Sequence, residues 1–351
     1  MTFKTILSLT ASTIKFFTII LLLTKTNAEA NTNKSYSNDA GILSIMYHRF
    51  NENKYPSTNI RFHIFKEHID IIKNNGFEFY NPKNLEKNFH EVKMNKKILI
   101  TVDDAFESFY EFAWPYLKKN KIPFVLFVST EPVGSNGYMT WEQIKEVEKE
   151  EFAFIGNHSH SHKYLIDYEH DFFENDIKKS IEIFKRQLGY NPKFFSYPFG
   201  EYSLRHKKFI QENFLFGFGQ NSGVIDKNKD IFELPRFPIN EKYGDLERFK
   251  FLINLNPLEY KSISLEDMLI LSNNNPPELS IEFFKNQENL QNINCFSNEG
   301  GEWNNTNINL DGNMLNIIFK EKFKDRRGRI NCSLRDNIGW RWFGLQFSIK
   351  N

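Results

Sequence analysis

Polar and apolar positions follow two regimes along this chain. Between residues 41 and 200, short apolar runs alternate with longer segments whose apolar residues recur at helical spacing. The runs GILSIMYH (41–48), KILITVDD (97–104), FVLFVST (124–130), FAFIGNH (152–158) and KFFSYPFG (193–200) have the length of strands. Between them, FKEHIDIIKNNG (65–76), SFYEFAWPYLKKN (108–120), TWEQIKEVEKE (140–150) and DFFENDIKKSIEIFKRQLG (171–189) read as helices, the last closed by the glycine expected at a helix C-terminus. Repeated strand–helix units of this size predict an α/β fold on a mostly parallel sheet, open or closed into a barrel. From about residue 259 the pattern changes. A polar stretch, SNNNPPELS (272–280), precedes the short alternating segments NLQNINCFS, NMLNIIFKEKF, GRINCSLRD and WRWFGLQFSIK, separated by Gly- and Asn-rich turns. Residues 259–351 therefore read as a small antiparallel β domain.

Chemically capable residues collect at the C-terminal ends of the apolar runs: His48, Asp103 with Asp104, His158, and the turn Pro198-Phe199-Gly200. In parallel α/β folds that edge gathers the loops that carry the site. Two adjacent carboxylates ending a buried strand are costly unless a positive partner sits beside them. His158, His160 and His162 fall within five residues directly after a strand, and imidazole is the commonest protein ligand for a divalent cation. Joined by a carboxylate, they leave open positions for water, as in a catalytic metal site, and the cation supplies the positive charge the aspartates need. Successive side chains of an extended strand point to opposite sides, so the natural division is one aspartate as ligand and one as base. A helix N-cap explains one aspartate, but neither the second nor the histidines.

TVDDAFES, HSHSH and FSYPFG, in that order, resemble three motifs of the NodB-homology polysaccharide deacetylases, carbohydrate esterase family four. IMYHRF, MTWEQI and LPRFPIN look like the branch that includes the exported poly-N-acetylglucosamine deacetylases, and the resemblance spans about residues 41–255. It implies a distorted (β/α) barrel over 41–258 and a metal-dependent hydrolysis of N-acetyl groups. It makes Asp103 the catalytic base and Asp104, His158 and His162 the metal ligands, with His160 unassigned. The metal expected is zinc, with nickel, cobalt and iron close behind by ligand type. The Phe199 backbone N–H would serve the oxyanion, and His48 would protonate the leaving amine. Ala105 stands where the family motif has Gly, which matters if that position needs positive φ. Ser196 stands near the place of a base-orienting Arg, for which Arg236 is the candidate substitute by charge alone. No late Leu-x-His motif follows. Trp141 is a candidate stacking platform for a sugar ring, while the alternation in WRWFG suggests a core face for Trp340 and Trp342.

Composition adds limits. With 351 residues and 45 Lys+Arg against 44 Asp+Glu, the net charge of +1 gives no reason to expect nucleic acid as partner. The start, MTFKTILSLTASTIKFFTIILLLTKTNAEANTNK, has basic residues, an apolar core and an A-x-A pattern ending at Ala28 or Ala30, the layout of a secretory signal peptide over 1–30. A linker over 31–40 follows. Export to the periplasm or medium is expected, with no stable membrane anchor after cleavage. The two cysteines, Cys295 and Cys332, suit either a disulfide or two buried thiols. The sequence thus points to an exported deacetylase of a polysaccharide. The rivals are a glycan-binding module that keeps its metal without turnover, and an esterase on an O-acetylated glycan.

Overall fold

The computed structural model describes Tyr36, residues 40–89 and residues 96–350. The leader 1–30 and most of the linker lie outside the described residues. Six parallel strands form the central sheet: β1 (Ile42–Tyr47), β2 (Lys97–Asp103), β3 (Phe124–Val128), β4 (Ala153–Asn157), β5 (Phe194–Ser196) and β6 (Phe216–Phe218), paired in that order. The first five lie within the apolar runs, whereas β6 falls outside them, and the helices between the strands, such as α1 (Phe62–Asn74) and α2 (Trp114–Asn120), cover the outside. Pro115 at the start of α2 has no N–H to give its preceding turn, and the residues before it, Phe109–Ala113, wind as a π-helical turn instead of continuing one helix from 108.

The chain after β6 closes the sheet. Leu234 bridges Phe218 in parallel, while β7 (Val224–Ile225) and β8 (Phe237–Pro238) both pair with β1. The sheet therefore curls from β1 round to β6 and back, giving a distorted barrel. Strand alternation sorts the residues of β2. Ile98, Ile100 and Val102 pack with Phe65 and Trp114 under the helices, whereas Leu99 joins Val125, Phe127, Phe218 and Leu234 in a second, inner cluster. Thr101 and Asp103 share the inward face of Leu99, and both are fully buried.

Residues 256–350 build two further sheets. One runs from Asn256–Pro257 through the hairpin β9 (Arg327–Arg335) and β10 (Trp340–Lys350) to Asn294–Ser297, and the other contains Leu279–Phe283, Met314–Ile318 and Asn307–Asp311. Most pairings are antiparallel, although Asn256–Pro257 and Leu269–Leu271 run parallel to β10. Cys295 and Cys332 sit opposite each other on neighbouring strands and are joined by a disulfide. The described residues form one compact unit. Its core is continuous across the two parts: Phe195, Tyr197 and Phe209 pack in one cluster with Leu258, Phe343 and Phe347. Each such aromatic contributes about 1.5–3 kcal/mol when fully buried, so the β sheets are fixed against the barrel wall beside β5.

Candidate active site

The site forms where β2, β4 and β5 end. Directly after β2 the backbone enters the left-handed region, with φ of 74° at Asp104 and 54° at Ala105. This break in the strand lets two adjacent carboxylates serve one site. Asp103 stays inside the barrel, and Asp104 turns toward the cleft outside it. Ala105 thus occupies a conformation that favours glycine, at a cost of about 1–2 kcal/mol. Ser159, His162 and Phe199 also have positive φ, at 74°, 50° and 59°. Strained backbone of this kind collects at functional sites.

Asp103 finds its cation in Arg236, which enters the barrel from the closing segment between Leu234 and β8. Arg236 donates Nη1–H to Asp103 Oδ1 at 2.7 Å and Nη2–H to Oδ2 at 2.9 Å. It also donates to Ser196 Oγ at 2.7 Å, Thr101 Oγ1 at 3.2 Å and the Gly219 carbonyl at 2.9 Å. Both partners are fully buried, and the guanidinium lies over Phe127 and Phe218. Burial opposes the charge on Asp103, but Arg236 and then His158 outweigh it and hold the carboxyl well below the usual range.

Asp104 meets the histidines. His158 Nδ1 lies 2.7 Å from the Ser196 carbonyl, which only accepts, so Nδ1 carries the proton and Nε2 presents a lone pair. That Nε2 faces Asp104 Oδ1 at 3.5 Å, and His162 Nε2 lies 3.1 Å from the same oxygen. His158 Nε2 and Asp104 Oδ1 are buried without a hydrogen-bond partner among the described residues. Burial pushes the His158 imidazole down to about 4, so it faces the carboxylate uncharged. Two acceptors turned toward each other in a buried place are repulsive unless a cation lies between them. The three donor atoms are within 4.8 Å of one another, and their types suit a divalent metal. His160 is not part of this group. Its Nδ1 pairs with Thr130 Oγ1 at 2.8 Å, and its amide is held by Asp176 Oδ1 at 2.8 Å, which helps to fix the loop.

A cleft of about 790 Å³ opens over Asp104 and His162, and His48 and Phe199 line it. Burial also pushes the His48 imidazole down, against the pull of Asp103 and Asp104. The Phe199 turn is braced from the β sheets: Gln346 Nε2 donates to the carbonyls of Phe199 (2.9 Å) and Gly200 (3.0 Å). Gly200 has φ of 68°, and a Cβ there would fall 2.7 Å from the Gln220 amide nitrogen. The Phe199 ring meets His162 edge-on at 4.7 Å and stacks on Tyr164 at 4.0 Å.

Trp141 begins its helix and packs edge-on against Phe184 at the main core, and it is not among the residues that line the cleft. Trp303 and Trp342 line the cleft instead, the latter donating its indole N–H to Ser222 Oγ at 2.9 Å. The core face predicted for WRWFG is the opposite one, with Arg341 and Phe343 inward and Trp340 exposed. The side that Trp342 takes was not legible in sequence because β10 crosses from the small sheet to the barrel mouth, and periodicity reports alternation but not which face meets a cleft.

A barrel with a buried aspartate–arginine pair beside a two-histidine, one-aspartate cluster has the donor set of a divalent-metal site at the mouth of an α/β barrel. Known proteins narrow this class. The polysaccharide deacetylase family profile matches residues 90–213. The poly-beta-1,6-N-acetyl-D-glucosamine N-deacetylase of Staphylococcus epidermidis is 24% identical over 191 residues, covering 50% of this chain and 66% of that protein. Among solved structures, IcaB from Ammonifex degensii superposes with a TM-score of 0.55 at 23% identity, over 62% of this chain and 99% of that one. The Streptococcus pyogenes deacetylase PplD, solved with acetate, gives 0.53 at 23% identity, over 58% and 95%. Residues 90–213 thus match a polysaccharide deacetylase domain, and the fold around them is similar to that of solved deacetylases.

Proposed function

We propose that this protein is an exported, metal-dependent N-deacetylase that hydrolyses N-acetyl groups of a polysaccharide and releases acetate. The observation that carries this reading is the pair of unpartnered buried atoms, Asp104 Oδ1 and His158 Nε2, next to an Arg-clamped Asp103 under an aromatic-lined cleft. Asp104, His158 and His162 would hold the ion, and zinc best suits this donor set, ahead of nickel, cobalt or iron. When bound, such a cation lowers the pKa of water and polarises a carbonyl.

The remaining work falls to the chain. Asp103, kept ionised by Arg236, accepts a proton from the attacking water as the new C–O bond forms. The Phe199 amide donates to the oxyanion, a contribution worth about 3–4 kcal/mol in other enzymes. His48, lining the cleft beside Asp104, passes to the amine, as the C–N bond breaks, the proton that Asp103 has taken from the water, leaving acetate and a free amino sugar. Trp303 and Trp342 offer ring faces for neighbouring sugars. We take residues 41–258 as the deacetylase domain and 259–351 as a β domain that completes the cleft wall. The disulfide between Cys295 and Cys332 and the leader pattern at 1–30 support export to an oxidising compartment.

Acetate release from N-acetylglucosamine oligomers by the zinc-loaded chain tests the activity. Release that stops on chelation, returns with zinc and exceeds release from O-acetylated glycans supports the reading. A fully metal-loaded protein that releases acetate only from esters would replace it with the esterase.

A further inference from the structure

The cleft is strongly unbalanced in charge. Lys242, Arg248, Arg327 and Arg329 line it, against Asp104 as its acidic residue among the described ones, and Asp104 already belongs to the cation site. Two of these cations are half-buried in an unfavourable setting. Burial works against the charge of Arg329, and the neighbouring Arg327 adds to it; burial works likewise against Arg248. Arg329 donates Nε–H to Gln346 Oε1 at 3.0 Å, a neutral partner, and Arg248 donates to the carbonyl of Tyr243. Arg327 lies 3.7 Å from Glu201, but that carboxylate is already held by Arg326 Nε at 3.0 Å. A half-buried guanidinium without its own carboxylate is costly, and its planar fork matches a carboxylate or phosphate.

These arginines are tied to the reacting end of the cleft. The Arg327 guanidinium sits 6.0 Å from the centre of the Phe199 ring, which touches His162. Gln346, the partner of Arg329, also holds the Phe199 and Gly200 carbonyls. An anion on a sugar next to the acetylated one would therefore meet Arg327 and Arg329 while the acetamide lies at the metal cluster.

We infer that the cleft takes an acidic N-acetylated glycan, whose carboxylate or phosphate is seated on Arg327 and Arg329. Turnover of such a glycan rests on the deacetylase reading above; the anion subsite does not. The same wall repels the ammonium that deacetylation creates. It therefore disfavours rebinding of product and favours widely spaced deacetylation.

Equilibrium titration of the zinc-loaded full chain, followed by tryptophan fluorescence, tests this with three probes. They are a neutral N-acetylglucosamine oligomer, strands alternating N-acetylglucosamine with N-acetylmuramic acid, and a phosphodiester-linked N-acetylhexosamine oligomer. At least one acidic probe should bind about tenfold or more tightly than the neutral one, in keeping with hydrogen bonds to a charged group, and the advantage should shrink as salt is raised. Which acidic probe gains identifies carboxylate or phosphate. In the double variant Arg327→Gln with Arg329→Gln, the acidic-to-neutral ratio should fall to about one. The charge-preserving Arg327→Lys with Arg329→Lys should keep most of it. Equal affinity of the wild type for all three probes, or a ratio that survives the Gln variant, overturns the inference. So does a ratio lost equally in the Lys variant, which would mark a packing role. Acetate release, measured separately on the same strands, separates the two claims: no release with the ratio intact sinks the deacetylase reading and leaves the anion subsite standing.

Discussion

Replacing Arg236 by methionine leaves Asp103 as a fully buried carboxylate whose two charge-assisted hydrogen bonds are gone. Removing one partner of a buried pair costs about 3–5 kcal/mol, a large part of the stability of an ordinary domain. The pH dependence carries the sign. In the wild type the Asp103 carboxyl is depressed below its unfolded value, so its contribution is present above about pH 4 and is lost only as pH falls through the folded value. Without Arg236, burial dominates and raises the folded value above the unfolded one. The variant then loses stability as pH rises from about 4 to the raised value, by about 1.4 kcal/mol for each pH unit between them. Urea unfolding of both proteins at about pH 4.5 and about pH 7.5 should show a larger gap at the higher pH. Adding Asp103→Leu to Arg236→Met should recover about 2 kcal/mol or more, because an apolar pair of similar volume replaces an unpaired charge. Activity remaining in Arg236→Met should have its acid limb moved to higher pH. A gap that does not change with pH, with no recovery in the double variant, would refute the assignment of Arg236 as the group that keeps Asp103 ionised.

The other predictions concern the turn, the strained strand end and the cleft wall. Gln346→Leu removes the donor to the Phe199 and Gly200 carbonyls, so kcat on N-acetylglucosamine oligomers should fall more than KM rises, with a stability loss of about 1–3 kcal/mol in urea. Ala105→Gly relieves about 1–2 kcal/mol of left-handed strain but loses a buried methyl worth about 0.8 kcal/mol and gains chain entropy in the unfolded state, so its unfolding free energy should stay within about 1 kcal/mol of wild type. Ala105→Val should be clearly destabilised in the same assay, because a β-branched residue fits that conformation poorly. Trp303→Ala should raise KM for long oligomers by about two- to tenfold and leave kcat nearly unchanged, as expected for a stacking contact of about 0.5–1.5 kcal/mol.

Much of the barrel was legible from the chain alone. Parallel strands buried on both faces are continuous apolar runs, and their polar ends mark the edge where β2 delivers Asp103 and Asp104, β4 delivers His158 and β5 leads into the Phe199 turn. The cost of two adjacent carboxylates correctly demanded positive charge, but the structure answers it twice: Arg236 for Asp103 and a metal-type cluster for Asp104. Arg236 lies 133 residues from its partner, in a segment with no strong periodicity, so charge could nominate it but only the closing of the sheet places it. The role of Gln346 had no signal at all, since a glutamine in an alternating strand looks like any other exposed polar residue. An aromatic at a helix start, such as Trp141, is equally suited to a core or a cleft, and here it packs at the core.

In the proposed division of labour between neighbours, Asp104 would hold the metal and Asp103 would move the proton. The most direct test of this division is the zinc content of Asp103→Asn and Asp104→Asn, measured together with acetate release from N-acetylglucosamine oligomers. Asp103→Asn should bind zinc near one ion per chain as the wild type does, while release falls by about 10²–10⁴-fold, the range of a general base. Asp104→Asn should lose both. Zinc lost equally from the two variants, or release that survives in Asp103→Asn, would contradict the account.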